Sequence, residues 1–291
     1  MTIAKLRYAD TNLARTAVLT GGLGTADHPL DNLKDDSRFR GAPARCEDPN
    51  DLEAATFQAV LPSARAVDLI VLLFHTLEID ARYRITVAGP DGDLDTPAIA
   101  GAWSPVYGSV FDSEDLEYED DNWFFGQLAV EDIDLFPRHL WIWLPQPVIT
   151  AAIRIELDDS GNAAGFFDIG GLAIARTQTT ELNIDRGRLL GITARDQKDE
   201  SPSGRVFAEE RMPRREITVS WSRLQDEEAY RLFDAGMRGR SNRMVLIAPN
   251  LADPRSTLRE AFPATFSRLP GPSFTWPGLG RVEATLQEIV A

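Results

Sequence analysis

The chain has 291 residues, of which 43% are hydrophobic and 26% are charged, a composition typical of a globular protein with a sizeable core. Its formal net charge of −15 argues against nucleic acid as a partner, because nucleic-acid affinity depends mainly on neutralising phosphates with Lys and Arg. The single cysteine, Cys46, excludes an intrachain disulfide, and the longest apolar run, residues 69–74, is too short to span a bilayer. We therefore expect a soluble protein, made in a reducing cytoplasm, with no membrane insertion.

The first part of the chain is predicted to be all β. Short apolar or alternating segments separated by Gly, Pro and Asp clusters are typical of strands and turns. Strands are predicted over residues 66–75, 83–87, 141–144, 153–157 and 166–175, with turns at residues 89–93 (GPDGD) and 158–162 (DDSGN). Short strands at this spacing indicate a β-sandwich or jelly roll.

The composition changes after residue 176, and residues 196–204 (DQKDESPSG) have the polarity of a linker or loop. Beyond it, Ile217, Val219 and Trp221 alternate with polar residues, which places them on one face of a strand. Residues 226–237 predict an amphipathic helix whose apolar positions are Ala229, Leu232, Phe233 and Met237. Further strands are predicted at residues 244–248 and 281–289.

The predicted organisation is therefore two domains in a mainly β protein. Residues 1–177 are expected to form a β-sandwich. Residues 178–291 are expected to form a smaller α+β module with one main helix that packs on its own sheet.

The sequence contains no recognisable catalytic motif. It has no Gly-x-Ser-x-Gly elbow, no HExxH and no paired CxxC, and the glycines at residues 21–24 predict a turn rather than a phosphate loop. Its three histidines are His28, His75 and His139, and His75 lies in an apolar strand where a structural role is expected. We predict no catalytic residue, no bound metal and no cofactor.

Acid-rich segments leave one alternative open. Calcium requires six to eight oxygen ligands, which either residues 91–95 or residues 112–121 (DSEDLEYEDD) can supply. Neither segment has the spacing of an EF-hand loop, and solvated acidic loops are the competing interpretation.

Aromatic residues next to the acidic segment 112–121 form the candidate ligand site. Apolar rings beside carboxylates can stack on a sugar while the acids accept its hydroxyl protons, so Trp103, Tyr107, Trp123 and Asp121 are the predicted glycan platform. The alternative is that residues 123–125 (WFF) begin a core strand or fill a subunit interface.

Residues 12–176 resemble a discoidin-type (F5/8 type C-like) jelly roll. The resemblance is carried by residues 12–14 (NLA), 17–20, 32–36 (NLKDD) with Arg38 and Arg40, 155–158 (IELD), 167–170 (FDIG) and 172–174. The family usually has an Arg-Trp pair after its acidic turn, whereas Phe39 follows Arg38 here, and Cys46 has no disulfide partner. The resemblance therefore implies a fold rather than a ligand.

Residues 177–291 are similar to the C-terminal part of minor tail or distal-tail-like proteins of long-tailed phages. The order of residues 214–224, the helix, 245–250 (VLIAPN), 266–269 (FSRL) and 282–289 carries this resemblance. It implies a structural component of a virion tail tip, assembled in the host cytoplasm. Its expected partners are other copies of itself in a ring and neighbouring tail or baseplate proteins.

Three hypotheses follow for function. The first is this non-enzymatic tail-tip or baseplate component. The second, of a different class, is a carbohydrate-binding module that recognises host-surface glycans. The third is a hydrolase of cell-wall glycans, which would require two facing carboxylates about 5–10 Å apart, one of them with a pKa raised by burial.

Overall fold

The computed structural model describes residues 5–35, 41–111, 114, 116–118, 122–124, 126–128, 133, 135–194, 197–200, 206–209, 211–239, 243–249, 254–268, 271–276 and 278–290. Among the residues and segments named above, Arg38, Phe39, Arg40, Asp121 and Phe125 lie outside this set, as do residues 112–113, 115, 119–120, 196 and 201–204 of the two polar segments. Residues 197–200 of the predicted linker form a strand. The chain forms two compact units, residues 11–177 and residues 1–10 together with 178–290. The predicted fold class is confirmed: the protein is mainly β, with a β-sandwich and a smaller α+β module.

The described residues of the amino-terminal part form short 3-10 helices (η) as well as strands. In chain order they are β1 (Arg7–Ala9), η1 (Leu13–Thr16), β2 (Val18–Gly21), η2 (Leu30–Lys34), β3 (Ala44–Cys46), β4 (Thr56–Leu73), β5 (Arg82–Val87), β6 (Ile99–Ala100), β7 (Ser104–Pro105), β8 (His139–Asp158), β9 (Phe167–Ile169) and β10 (Gly171–Ala175). All except β1 lie in the sandwich unit.

The sandwich is built around the long antiparallel pair β4–β8. The strand order is β10-β4-β8-β5-β6, with β2 beside β4 and β7 beside β5, while β3 and β9 form a separate ribbon. Register shifts interrupt the β4–β8 ladder twice. Residues from both halves of β4, such as Phe57 and Ile70, are fully buried in one core, so the bent sheet wraps around that core.

Four predicted strands differ from the structure, and the first of them, residues 66–75, covers only the second part of β4 (Thr56–Leu73). The segments 141–144 and 153–157 belong to the single strand β8, because Pro145 and Pro147 lie in a register shift where no ladder hydrogen bond is required. The segment 166–175 is two strands, since the chain leaves the β3 ribbon at Gly170, whose N–H donates to Leu73 O at 2.9 Å. Strand β10 then pairs with β4.

The second unit combines β1 with the elements of the carboxy-terminal part. These are β11 (Leu189–Thr193), β12 (Gln197–Glu200), β13 (Val206–Glu209), β14 (Arg214–Gln225), α1 (Asp226–Gly239), β15 (Val245–Ala248), α2 (Pro254–Glu260), β16 (Phe262–Arg268), β17 (Ser273–Trp276) and β18 (Leu279–Glu288). The sheet order is β1-β15-β16-β18-β14-β11, and β17 pairs with β18. Ile217, Val219 and Trp221 are buried on one face, as their alternation predicts.

The helix α1 packs on this sheet through its small residues. Ala229, Leu232 and Ala235 are buried, whereas Phe233 is 40% exposed and Met237 is 55% exposed, so the expectation that these two larger residues share the buried face is wrong. A Cβ atom on Gly280 would lie 2.9 Å from the Cβ atom of Ala229. The helix therefore approaches the sheet closely at Ala229 and Ala235, with Leu232 also buried in the core, while Phe233 and Met237 point away.

Candidate functional site

A cleft opens at one end of the sandwich unit, between the turn that precedes β5 and the turn that follows β8. Its volume is about 340 Å³, within the range of small-molecule sites. It is lined by Glu78, Ile79, Asp80, Arg82, Asp158, Asp159, Ser160, Gly161 and Ala163. The antiparallel pairing of Arg82 with Asp158 brings the two turns together, so the sheet register fixes the position of the cleft.

An ion pair lies at the edge of this cleft. Arg82 Nη2 donates to Asp158 Oδ2 at 2.5 Å, and the side chain of Arg82 is 57% exposed. Burial alone would raise the pKa of Asp158, but hydrogen bonds from Arg82 and Ser160 outweigh it and leave the pKa below its usual value. The cleft therefore presents an ionised acceptor next to an accessible cationic donor.

Asp159 is a buried carboxylate that connects the two turns of the cleft. It is 2% exposed, its Oδ1 accepts from the Glu78 N–H at 3.3 Å, and its Oδ2 accepts from Asn162 Nδ2 at 2.6 Å. Burial raises the pKa of Asp159 above its usual value, partly opposed by these two hydrogen bonds. Because both oxygens are engaged, this carboxylate ties the two turns together.

The segment between β7 and β8, residues 106–138, of which only part is described, has both of its ends beside one wall of the cleft. The Val106 N–H donates to Ala81 O at 2.9 Å, and Arg138 Nη1 donates to Leu77 O at 3.4 Å. Within the loop, Gln127 Nε2 donates to Tyr107 O at 2.8 Å. We call this segment the aromatic loop.

The aromatic loop carries an exposed cluster of rings. The centroid of Trp123 lies 5.0 Å from that of Tyr118 and 5.0 Å from that of Phe124, both in edge-to-face geometry. Tyr118 is 74% exposed and Phe124 is 75% exposed, and Glu114 and Glu117 are exposed in the same loop. We call Tyr118, Trp123 and Phe124 the aromatic cluster. It places apolar rings and carboxylates together on the surface.

The structure puts the predicted platform residues in different surroundings. Trp103 is half-buried, and the guanidinium carbons of Arg84 and Arg82 lie 4.8 and 6.0 Å from its ring centroid. Tyr107 is half-buried with its ring edge-on to His75 at 5.9 Å. Trp123 belongs to the aromatic cluster, and Asp121 lies outside the described residues. The role of these residues in binding a glycan stays a prediction.

Sequence reasoning did not select Tyr118, Arg82 or Asp158. Tyr118 lies within the acidic segment, for which the sequence predicts a role of the carboxylates and not of the ring. Arg82 and Asp158 are 76 residues apart, and only the strand register brings them together. The turn at residues 158–162 was identified, and an acid at the end of a strand next to a turn is the signal that could have pointed to the cleft.

A second cleft, of about 370 Å³, lies in the other unit. It is lined by Leu182, Asn183, Asp185, Trp221, Ser222 and Arg223. Asp185 Oδ2 accepts from Ser220 and Ser222 at 3.1 and 2.6 Å, and Asn183 Oδ1 accepts from the Leu6 N–H at 2.9 Å. These hydrogen bonds attach the segment that contains Asn183 and Asp185 to the sheet. The oxygens that accept them are therefore less available to a ligand.

Two further kinds of site, a metal centre and an activated thiol, depend on the His, Cys, Asp and Glu side chains. The described residues contain no group of three or more His, Cys, Asp or Glu side chains arranged to hold a metal ion. Cys46 is buried, and burial raises the pKa of its thiol to about 11, which disfavours the reactive thiolate. In the described part of the chain, no helix has the length and apolar character needed to cross a membrane.

No protein-family model matches the sequence, and no curated protein sequence matches it at a significant level. Solved structures do match. A family 32 carbohydrate-binding module from C. perfringens NanJ, in complex with galactose, is 13% identical with a TM-score of 0.36, and the match covers 58% of this chain and 99% of that one. A fucose-binding module of Streptococcus pneumoniae is 11% identical with a TM-score of 0.35, covering 57% and 95%. A Ruminococcus gnavus GH29 fucosidase is 11% identical with a TM-score of 0.34, covering 59% and 27%. Similarity at this level does not identify a ligand for this chain.

Proposed function

We propose that the sandwich unit binds a carbohydrate, without turning it over, at the end where the cleft and the aromatic loop meet. The observation that carries this proposal is the exposed aromatic cluster on a loop that is anchored beside a polar cleft. Large rings that are about three-quarters exposed are costly in water. A ligand with an apolar face would cover them.

The chemistry of the two surfaces matches that of a sugar. A pyranose ring has a face of C–H groups that stacks on indole or phenyl rings, and hydroxyl groups that need both donors and acceptors. Trp123 and its neighbours supply the stacking surface. The Arg82 guanidinium supplies donors, and the Asp158 carboxylate supplies an acceptor.

The cleft is better suited to binding than to hydrolysis. A general acid must hold a proton that it can deliver to the leaving group. Asp159 is the acid whose pKa is raised, but both of its oxygens accept hydrogen bonds from the turns. Asp158 has a lowered pKa and is therefore a poor proton donor near neutral pH.

A glycan array followed by calorimetric titration tests the proposal. The Trp123→Ala variant should weaken binding about tenfold or more, since removing an aromatic anchor costs on the order of 1.4 kcal/mol or more. The matched control is Phe274→Ala, an aromatic residue 46% exposed in the other unit, which should bind like the wild type. No binding by the wild type, or equal binding by Trp123→Ala, would refute the proposal.

The cleft makes a separate contribution that a second variant isolates. Asp158→Asn preserves the shape of the side chain and removes its charge, so binding should weaken while the aromatic cluster stays intact. If Asp158→Asn binds like the wild type, the ligand contacts the aromatic loop alone.

A second candidate function is a structural role in a virion tail tip, as the resemblance of the carboxy-terminal part implies. The observation that favours it is an extended β-hairpin. The pairing of β11 with β14 continues into that of β12 with β13, with Thr193 opposite Arg214 and Gln197 opposite Glu209. Two-stranded ribbons are marginally stable alone, so such an arm suits contact with a neighbouring subunit.

The two candidate functions are compatible, because a tail-tip protein can carry a sugar-binding sandwich. Mass spectrometry of purified phage particles from the host tests the structural role. The protein should be present in a fixed ratio to the tail proteins. Its absence from particles that are otherwise complete would exclude this role.

A further inference from the structure

Strand β11 leaves one edge of the second sheet open. It pairs with β14 on one side, and no strand of the described part of the chain lies on its other side. The opposite edge is closed, because Tyr8 in β1 exchanges backbone hydrogen bonds of 3.1 and 2.8 Å with Gln178. An open edge exposes unpaired N–H and C=O groups that can pair with another strand.

The sandwich unit protects a corresponding edge with a side chain. Asn12 Nδ2 donates to Leu172 O at 2.9 Å, and Asn12 Oδ1 accepts from the Ile174 N–H at 3.0 Å. These bonds occupy the outer side of β10. The contrast shows that β11 lacks a protection that the same chain applies to β1 and β10.

The side chains of β11 are apolar and exposed. Leu189 is 67% exposed, Leu190 is 39% exposed and Ile192 is 74% exposed. Leu190 lies opposite Ile217 in the ladder, and directly paired residues share a face. Leu190 and Ile192 therefore extend the apolar core face of the sheet to an uncovered edge.

The composition and symmetry of β11 favour a second copy as the occupant. Because the protein has a net charge of −15, which opposes self-association, a contact between copies requires a surface that brings no like charges directly opposite one another. The five residues of β11 (LLGIT) are all uncharged. The edge is also self-complementary. Antiparallel pairing centred on Gly191 places Leu190 of each copy opposite Ile192 of the other, so the same apolar contact forms two times.

We propose that β11 pairs with β11 of a second copy across a twofold axis, with Gly191 opposite Gly191, to give one continuous sheet. Two-fold symmetric contacts of this kind are the commonest mode of self-association. A Cβ atom on Gly191 would have only Glu216 O within 4 Å, at 3.9 Å, so this position can accept a side chain. The pairing rests on the geometry of β11 and is independent of glycan binding.

Analytical ultracentrifugation of the full chain tests the interface. The wild type should sediment as a dimer and Ile192→Asp as a monomer. In the variant, the introduced carboxylate of each copy would lie opposite Leu190 of the other copy. The matched control, Ile149→Asp, changes an isoleucine 58% exposed in the sandwich unit and should remain dimeric. Circular dichroism checks that each variant is folded.

Cysteine substitution tests the register. Directly opposed residues in antiparallel strands have Cα atoms about 4.5–5.5 Å apart, which suits a disulfide, so Gly191→Cys should form a covalent dimer under mild oxidation. Thr193→Cys should not, because it faces Leu189 of the second copy. A monomeric wild type, a dimeric Ile192→Asp, a ring of more than two copies, or equal crosslinking by both cysteine variants would overturn the proposal.

Discussion

Single side chains fix several boundaries of this fold, and Asn12 is the clearest case. Its amide caps η1 by accepting from the Ala14 N–H at 3.0 Å and also holds the edge of β10 through Leu172 and Ile174. Asn12 therefore covers the outer edge of β10, although it lies 160 positions from Leu172 in the sequence. The sequence indicated Asn12 as part of a family pattern, but the edge it protects depends on the tertiary structure.

Replacing Asn12 with Ala should lower the free energy of unfolding of the sandwich unit by about 1–3 kcal/mol, because buried backbone groups of β10 lose their partners. Asn50→Ala is the control. The Asn50 side chain contacts only its neighbour Asp48 on the exposed side of a turn, so its loss should change stability by less than about 0.5 kcal/mol. Urea unfolding measures both, and equal effects would contradict the role of Asn12.

His75 makes the stability of the fold depend on pH. Burial, with a smaller effect of Arg138, lowers its pKa to about 3, whereas an unfolded histidine titrates near 6.5. The unfolded state therefore binds a proton that the folded state does not. The stabilising contribution is complete above about pH 6.5 and is lost as the pH falls towards 3.

The wild type should consequently lose about 1.4 kcal/mol more per pH unit than His75→Phe between about pH 6 and pH 4. The phenyl ring preserves the contact with Tyr107 and does not titrate. Chemical unfolding at several pH values gives the two slopes. Parallel slopes would show that His75 is protonated in the folded protein.

Tryptophans near the acidic segment illustrate the limit of sequence reasoning for the site. Trp103 and Trp123 are both half-buried, yet Trp103 packs beside Arg84, whose Nε donates to Glu156 at 2.7 Å, while Trp123 lies between the rings of Tyr118 and Phe124. Strand pairing of β5 with β7 and β8 decides this difference. Residue type indicates the chemistry of the site, whereas long-range pairing decides which side chains surround each ring.

At the scale of elements, period-two alternation predicted β14 and β18, and helical spacing predicted α1 to within two residues at its end. Strand β8 was less predictable, because Pro145 and Pro147 normally end a strand and here lie in a register shift. The predicted buried face of α1 is also wrong at Phe233 and Met237, which are exposed. A close approach through Ala229 selects small residues for the interface, which hydrophobic spacing alone does not reveal.

The aromatic loop depends on one glycine. Gly126 has φ +59°, a Cβ atom there would lie 2.3 Å from Phe111 O, and its carbonyl accepts from the Val110 and Phe111 N–H groups at 2.7 and 2.9 Å. Gly126→Ala should therefore disturb the loop and weaken glycan binding, while the far-ultraviolet circular dichroism of the sandwich is retained.

The control for this prediction is Gly108→Ala in the same loop, where an added Cβ atom meets no atom of the described residues within 4 Å. It should bind like the wild type. Equal affinities for Gly126→Ala and Gly108→Ala in calorimetric titration would show that the loop conformation does not matter for binding.

At the scale of the whole molecule, residues 5–10 belong to the unit formed by the carboxy-terminal part. Strand β1 pairs with β15, and Leu6 and Tyr8 are buried in that core. Local patterns of the sequence gave no sign of this arrangement. A three-residue strand has no periodicity long enough to identify its partner.

This arrangement predicts a distant effect of a mutation near the amino terminus. Leu6→Ala should cost about 2–5 kcal/mol, as for other buried leucines, and should reduce hydrogen-exchange protection in β15 and β16 but not in β2. Leu182→Ala, at a leucine 52% exposed in the same unit, should leave protection unchanged. Loss of protection in β2 instead would contradict the division into units.

The most direct test of carbohydrate binding is a titration of the ¹⁵N-labelled protein with saccharides, followed through the six tryptophan indole N–H signals. The Trp123 signal, assigned by its absence in Trp123→Ala, should shift progressively and saturate with a neutral or amino sugar. The signals of Trp221 and Trp276 in the other unit should stay in place. If no saccharide moves the Trp123 signal, the aromatic loop is not a glycan site.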